Sequence, residues 1–258
     1  MAENSDYKLY FTTVQSNAIR ILIESLKDVL TDVNIHINSS LIKVVSMDAS
    51  RTAIVYLKLL ASQFEKFTCE SPIVLGVNML SLFKIIKSIK NNDIITFYVL
   101  NDMNDLYIQI DNHDKNIQVV SKLRLLDIDE NIINIPNLQF DTVLTIPSSD
   151  FQNYVRDLSV ISNEIKIVTK NNSLVLEVDG DFASQSIKIS QQNNGLVVSQ
   201  CKDTSNTFNL KYLLLFTKSS NLCNTIELCL MNNFPLILLY NVANLGQLKF
   251  CLAPKQST

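Results

Sequence analysis

Segments with a helical spacing of apolar residues are separated along this chain by longer stretches in which apolar and polar residues alternate. Over residues 16–30, Ile19, Leu22, Ile23, Leu26, Val29 and Leu30 recur three and four positions apart, which places them on one face of a helix. Arg20, Glu24, Lys27 and Asp28 fall on the other face, with Arg20 and Lys27 nearly in line along the axis. A second helix is predicted over 78–90: Leu82, Ile85, Ile86 and Ile89 point inward, and Lys84, Lys87 and Lys90 follow at three-residue steps with no acidic residue among them. A third is predicted over 148–159, after Pro147 and a Ser-Ser-Asp start, with Phe151, Tyr154, Val155 and Leu158 as its apolar stripe and Arg156 off it. A fourth, over 209–219, carries Leu210, Leu213, Leu214 and Phe216 with Lys211 and Lys218.

Between the helices the period is two. Val33, Ile35 and Ile37 alternate with Asn34, His36 and Asn38 before an Asn-Ser-Ser turn and the apolar run 41–45, a hairpin pattern. Further hairpins are predicted for 94–100 with 106–110 and for 165–169 with 174–178, and three more strands for 226–230, 236–240 and 247–252. Ser16 with Ser149, Leu41 with Leu174, Leu80 with Leu213 and Phe83 with Phe216 share one offset of 133 positions. The chain therefore reads as a duplicated domain. The fold class is α+β with two similar domains, over 1–120 and 137–258, joined by an exposed acidic and Pro-terminated connecting loop over 121–136.

Composition supports this division. A chain that is 47% hydrophobic holds one large core or two ordinary ones, and only four Gly and five Pro argue against a flexible linker. Five cysteines without paired spacing, and an N-terminus without a basic-then-apolar leader, fit a reducing intracellular compartment. Apolar runs such as 212–216 and 235–240 are far shorter than the ~20 residues of a membrane span, so no membrane partner is expected.

Catalytic signatures are sparse. His36 sits on the polar side of a strand pattern and His113 in an Asp-Asn-His-Asp turn, where an uninvolved imidazole is the simpler reading. There is no Gly-rich phosphate loop, CxxC, HExxH or nucleophile elbow. Asp127 and Asp129 read as exposed charges of a connector rather than metal ligands. No enzyme activity, metal or cofactor is expected. The positive signal is charge segregation: in a chain of net charge −3, the four predicted helices carry eight basic residues (Arg20, Lys27, Lys84, Lys87, Lys90, Arg156, Lys211, Lys218) against Glu24, Asp28, Asp150 and Asp157. Any one such helix is most simply a solvated face; the repetition points to a polyanionic partner.

Gly76-Val77-Asn78, Lys84-Ile85-Ile86-Lys87, Asn92-Asp93-Ile94-Ile95-Thr96, Ser46-Met47-Asp48, and Leu125-Leu126-Asp127-Ile128-Asp129 ahead of Ile135-Pro136 resemble the proliferating cell nuclear antigen family of sliding clamps. Tyr212-Leu213, Phe216-Thr217-Lys218, Pro235-Leu236, Leu248-Lys249 and Leu252-Ala253-Pro254-Lys255 extend the likeness over nearly the whole chain. The resemblance implies a homotrimeric ring around duplex DNA, with helices lining the channel and sheets outside. It implies a non-catalytic processivity factor that tethers DNA polymerase, a clamp loader and other clients with short binding motifs, in the nucleus or at a viral replication site.

On that resemblance Arg20, Lys27, Lys84, Lys87, Arg156, Lys211 and Lys218 match channel positions; Lys90 is added on charge alone. Such contacts attract phosphates without reading bases. Subunits would pair through edge strands at 116–123 and 182–190, with Leu123, Val155, Leu158, Phe182 and Ile187 at the interface. A client pocket would be walled by Met47, Ile54, Ile133, Ile135, Pro136, Pro235, Ala253 and Pro254, with Cys251 where an aromatic side chain is common. Other departures are Arg51 for a usual histidine beside the pocket, Ile21 and Val160 at channel positions that are usually basic, and Asn171, next to Lys170, at the position of a regulatory lysine. A clamp-like subunit of a heteromeric ring, a monomeric processivity factor and an unrecognised enzyme are the alternatives.

Overall fold

The computed structural model describes residues 7–112, 114–129, 133, 139–192 and 195–255. They form two compact units, one made of the described residues within 1–46, 56–133 and 242–247 and the other of those within 47–55, 134–241 and 248–258.

The first unit contains β1 (Tyr7–Thr13), α1 (Ser16–Leu26), β2 (Asp32–Ile37), β3 (Leu41–Met47), most of β4 (Ala53–Leu60), β5 (Lys66–Cys69), β6 (Ile73–Asn78), α2 (Met79–Ile86), β7 (Ile94–Leu100), β8 (Asp105–Asn112) and β9 (Ile117–Arg124). Five strands run β5-β1-β7-β8-β9 and four run β4-β3-β2-β6. The predicted β2–β3 hairpin is present, with Ile37 opposite Ile42 and Ile35 opposite Val44. Ile19, Leu22, Ile23 and Leu26 of α1 are buried with Met79, Leu82 and Ile86 of α2, and the two helices pack together. An apolar cavity of about 70 Å³ remains among Leu22, Leu26, Val44, Leu57, Leu75 and Phe97, a lining that keeps such a space dry.

Helix α2 is shorter than the spacing predicts. Its start is set by Asn78, whose side chain caps the Ser81 N–H. It stops at Ile86 because the Asp93 carboxylate takes the Lys90 N–H at 2.8 Å, drawing the chain toward β7, so Lys90 lies outside the helix. Likewise α1 ends at Leu26 and reaches Leu30 only through a turn in which the Leu30 N–H donates to Leu26.

The second unit contains β10 (Thr142–Pro147), α3 (Ser148–Ser159), β11 (Glu164–Lys170), β12 (Ser173–Asp179), β13 (Ser184–Ser190), β14 (Val197–Gln200), β15 (Thr204–Asn209), α4 (Leu210–Phe216), β16 (Thr225–Leu230), β17 (Leu236–Val242) and most of β18 (Gly246–Leu252). Five strands run β14-β10-β16-β17-β18 and four run β13-β12-β11-β15. Phe216 stacks on Phe250 with ring centroids 4.4 Å apart, and Tyr240 meets Phe250 edge-on, an aromatic core. After Phe216 the chain tightens into a 3-10 turn, Thr217–Leu222, so Lys218 is not on α4 itself.

Each unit thus has the same inventory, and the duplication is real, but its register differs from the sequence expectation. Ser16 and Ser148 each open a helix and donate their hydroxyls to a carbonyl just ahead of a later strand, at Asp93 and Cys223. Ile19, Ile23 and Leu26 then answer to Phe151, Val155 and Leu158, all buried. In the second helices, Asn78 and Asn209 cap alike, which matches Leu82 rather than the exposed Leu80 to the buried Leu213. The offset slips between elements because loops differ in length while helices and strands keep their phase.

Candidate nucleic-acid interface and partner pocket

Helices with one buried stripe leave the opposite side to solvent, and the basic residues lie there. In the first unit Lys84, Lys87 and Lys90 are exposed, and among the described residues no acidic side chain reaches ion-pairing distance of them. Arg20 and Lys27 are more engaged: the Arg20 guanidinium sits 3.0 Å from Glu24, and the Lys27 ammonium 2.7 Å from Asp28 and 5.0 Å from the Phe83 ring centroid. Their charge is partly answered locally. In the second unit Arg156 bonds Asn153 at 3.0 Å and lies 3.7 Å from Asp157. Lys211 and Lys218 are exposed. Among the described residues the α2 end of the first unit therefore gathers three exposed lysines without an ion-pairing carboxylate.

Each unit also ends one of its sheets on a strand with an open side. Among the described residues β9 of the first pairs with β8 alone, and Ile117, Val119 and Val120 are each about half exposed (50%, 48% and 49%). Among the same residues β13 of the second pairs with β12 alone. Phe182 is 73% exposed but precedes β13 rather than lying on it. Leu123 and Ile187 are half-buried. Val155 and Leu158 correct the sequence expectation. Both are 0% exposed, on the face of α3 that faces its own core, and have no surface to give a neighbouring subunit.

Of the expected pocket residues, Met47, Ile54, Pro235, Cys251, Ala253 and Pro254 belong to the second unit. Met47, Ile54, Pro235 and Pro254 are half-buried and Ala253 is exposed. Cys251 is turned inward, and burial pushes its thiol up to about 11, Lys249 opposing, so it is neither pocket surface nor a reactive thiol. Ile133 belongs to the first unit, where it lines a groove with His36, Lys43, Val45 and Val74. Ile135 and Pro136, like His113, lie outside the described residues.

The sequence reading missed what holds this region in shape. Asp48 is 8% exposed, and its carboxylate accepts from the backbone N–H groups of Ser50, Thr52 and Ala53 at 3.0, 2.7 and 2.6 Å. It also accepts from the Tyr212 hydroxyl at 2.7 Å and from the Ser50 hydroxyl. Burial alone would raise its pKa, but the bonds from Ser50, Ala53 and Tyr212 hold it at about 2. The Ala253 N–H donates to Thr52 at 3.0 Å, seating the C-terminal segment beside this loop. Donor-capable residues two and four places after an aspartate were the available signal.

Two chain segments are held the same way in the two units. Beyond β9, the Leu126 N–H donates to Gly76 at 2.9 Å, and Asn34 bonds Ile128 at 3.1 Å. Beyond β18, the Lys255 N–H donates to Thr207 at 2.8 Å, while its ammonium pairs with Glu164.

Two copies of one α+β unit, with basic helices and open sheet edges, define the class of duplicated-domain DNA clamps. Family models bear this out: residues 10–132 match the proliferating cell nuclear antigen N-terminal domain, and residues 134–255 the C-terminal domain. The chain is 34% identical over 258 residues, 98% of each chain, to the "Probable DNA polymerase sliding clamp 1" of Paramecium bursaria Chlorella virus 1. It is 30% identical over 247 residues, 93% of this chain and 95% of the other, to the proliferating cell nuclear antigen of Chaetomium thermophilum. The crystal structure of that antigen from Entamoeba histolytica superposes with a TM-score of 0.91 at 28% identity, covering 97% of this chain and 100% of the other. The chain belongs to the proliferating cell nuclear antigen family. It is a DNA sliding clamp, a non-catalytic processivity factor.

Proposed function

We propose that three copies close head to tail into a ring around duplex DNA, β9 of one copy pairing with β13 of the next. The observation that carries this is a sheet-end strand in each unit with exposed apolar residues on or beside it, Ile117, Val119 and Val120 on β9 and Phe182 just ahead of β13. Such edges invite unlimited pairing unless a symmetric assembly uses them up. Arg20, Lys27, Lys84, Lys87, Lys90, Arg156, Lys211 and Lys218 then attract phosphates without reading sequence, a salt-sensitive attraction compatible with sliding. A client pocket at Met47, Ile54, Pro235, Ala253 and Pro254 receives a short helical turn with apolar and aromatic anchors, through which DNA polymerase, a clamp loader and other partners are held. The site of action is the nucleus or a viral replication compartment.

Light scattering tests ring closure: the expected mass is near three times 29.2 kDa, and a monomer would overturn it. The DNA-facing role is tested by Lys84→Glu with Lys87→Glu. This pair should reduce polymerase synthesis on long templates, most at low salt where the attraction is least screened, with the trimer intact; undiminished synthesis removes these lysines from the interface.

A further inference from the structure

Arg51 has φ of 58°, a left-handed conformation uncommon for a residue other than glycine. It is exposed, and among the described residues its guanidinium makes no hydrogen bond or ion pair. The nearest carboxylate along the chain cannot serve it, because Asp48 is occupied by three backbone N–H groups and two hydroxyls. The same bonds fix the turn, since the Arg51 N–H donates to the Asp48 carbonyl at 3.0 Å and the Asp48 N–H to Ala53 at 2.9 Å. Thr52, next in sequence, accepts from Ala253, so the turn that carries the unpaired cation is tied to the segment at Ala253. The other cation of that segment, Lys255, is engaged by Glu164.

We infer that Arg51 selects clients by charge, favouring peptides that carry an acidic side chain beside their apolar anchors. This rests on the client-pocket reading above and adds a preference to it. The Asp48–Tyr212 bond is the positioning element: it holds the turn that carries the arginine and touches no client itself. An arginine without an internal partner keeps its charge available for a carboxylate, whereas a contact at the rim of a site is solvent-screened and modest in size.

The test is fluorescence anisotropy at low salt with two labelled peptides. Each carries one aliphatic and two aromatic anchors in a helical turn, and they differ only in a flanking Glu or Gln. The expected preference for the Glu peptide is about threefold, shrinking at high salt. Arg51→Gly removes the charge while accepting the positive φ and should bring the ratio to one, as should Arg51→Gln; Arg51→Glu should reverse it. Tyr212→Phe should narrow the preference by loosening the turn. Equal binding of both peptides by the parent chain, or an unchanged preference in Arg51→Gly, overturns the inference and leaves the pocket standing. Failure of both peptides to bind overturns the pocket and this inference together.

Discussion

At the scale of single residues, Asp48 is a carboxylate whose hydrogen bonds outweigh its burial. Its folded pKa, about 2, is below the ordinary 3.8. The ionised form therefore contributes stability above pH 3.8 that is lost as pH falls toward 2, on the order of 2 kcal/mol. Asp48→Asn should lower the melting temperature at pH 7, and the gap to the parent should narrow below about pH 4; a gap independent of pH would remove the carboxylate from the account. None of this is visible in periodicity. An aspartate in a Ser-Met-Asp triplet looks like any turn former until Tyr212, distant in sequence, arrives on the same oxygen. Val155 and Leu158 teach the converse: their spacing with Phe151 already marks them as core, and core is where they are.

At the scale of elements, the helices were legible because their apolar stripes recur every three to four residues, and the hairpins because Ile35, Ile37, Ile42 and Val44 alternate. The ends were not, because tertiary partners set them: Asp93 stops α2 by taking the Lys90 N–H. Strands such as β5 and β14 escaped notice because four residues with mixed burial carry little alternation. The connector's anchoring was equally hidden. A Cβ on Gly76 would lie 2.1 Å from the Leu126 carbonyl oxygen, backbone that cannot swing aside. Gly76→Ala should release the 125–129 segment to limited proteolysis. Gly195→Ala, whose Cβ meets nothing nearer than 3.7 Å, should not. Equal cleavage of the two variants would refute the anchoring role.

At the scale of the whole molecule, an acidic chain gathers exposed lysines on and just beyond its helices and carries exposed apolar residues on β9 and just ahead of β13. The charge segregation was readable from composition by segment; the open edges were not, because a missing neighbour leaves no mark in a strand's own sequence. Phe182→Asp should shift the assembly toward monomer at micromolar concentration, visible as a fall in scattering mass, while the far-UV circular dichroism is retained; an unchanged mass would place Phe182 outside the contact. The repeated anchoring of the segments beyond β9 and β18 has a consequence for engineering. The peptide that leads one repeat into the next leaves its unit by the same route as the residues ending at Lys255, so it is a natural template for covalent linkers. Copies of the chain joined through such linkers would yield a single polypeptide holding all six repeats, in which subunits no longer exchange.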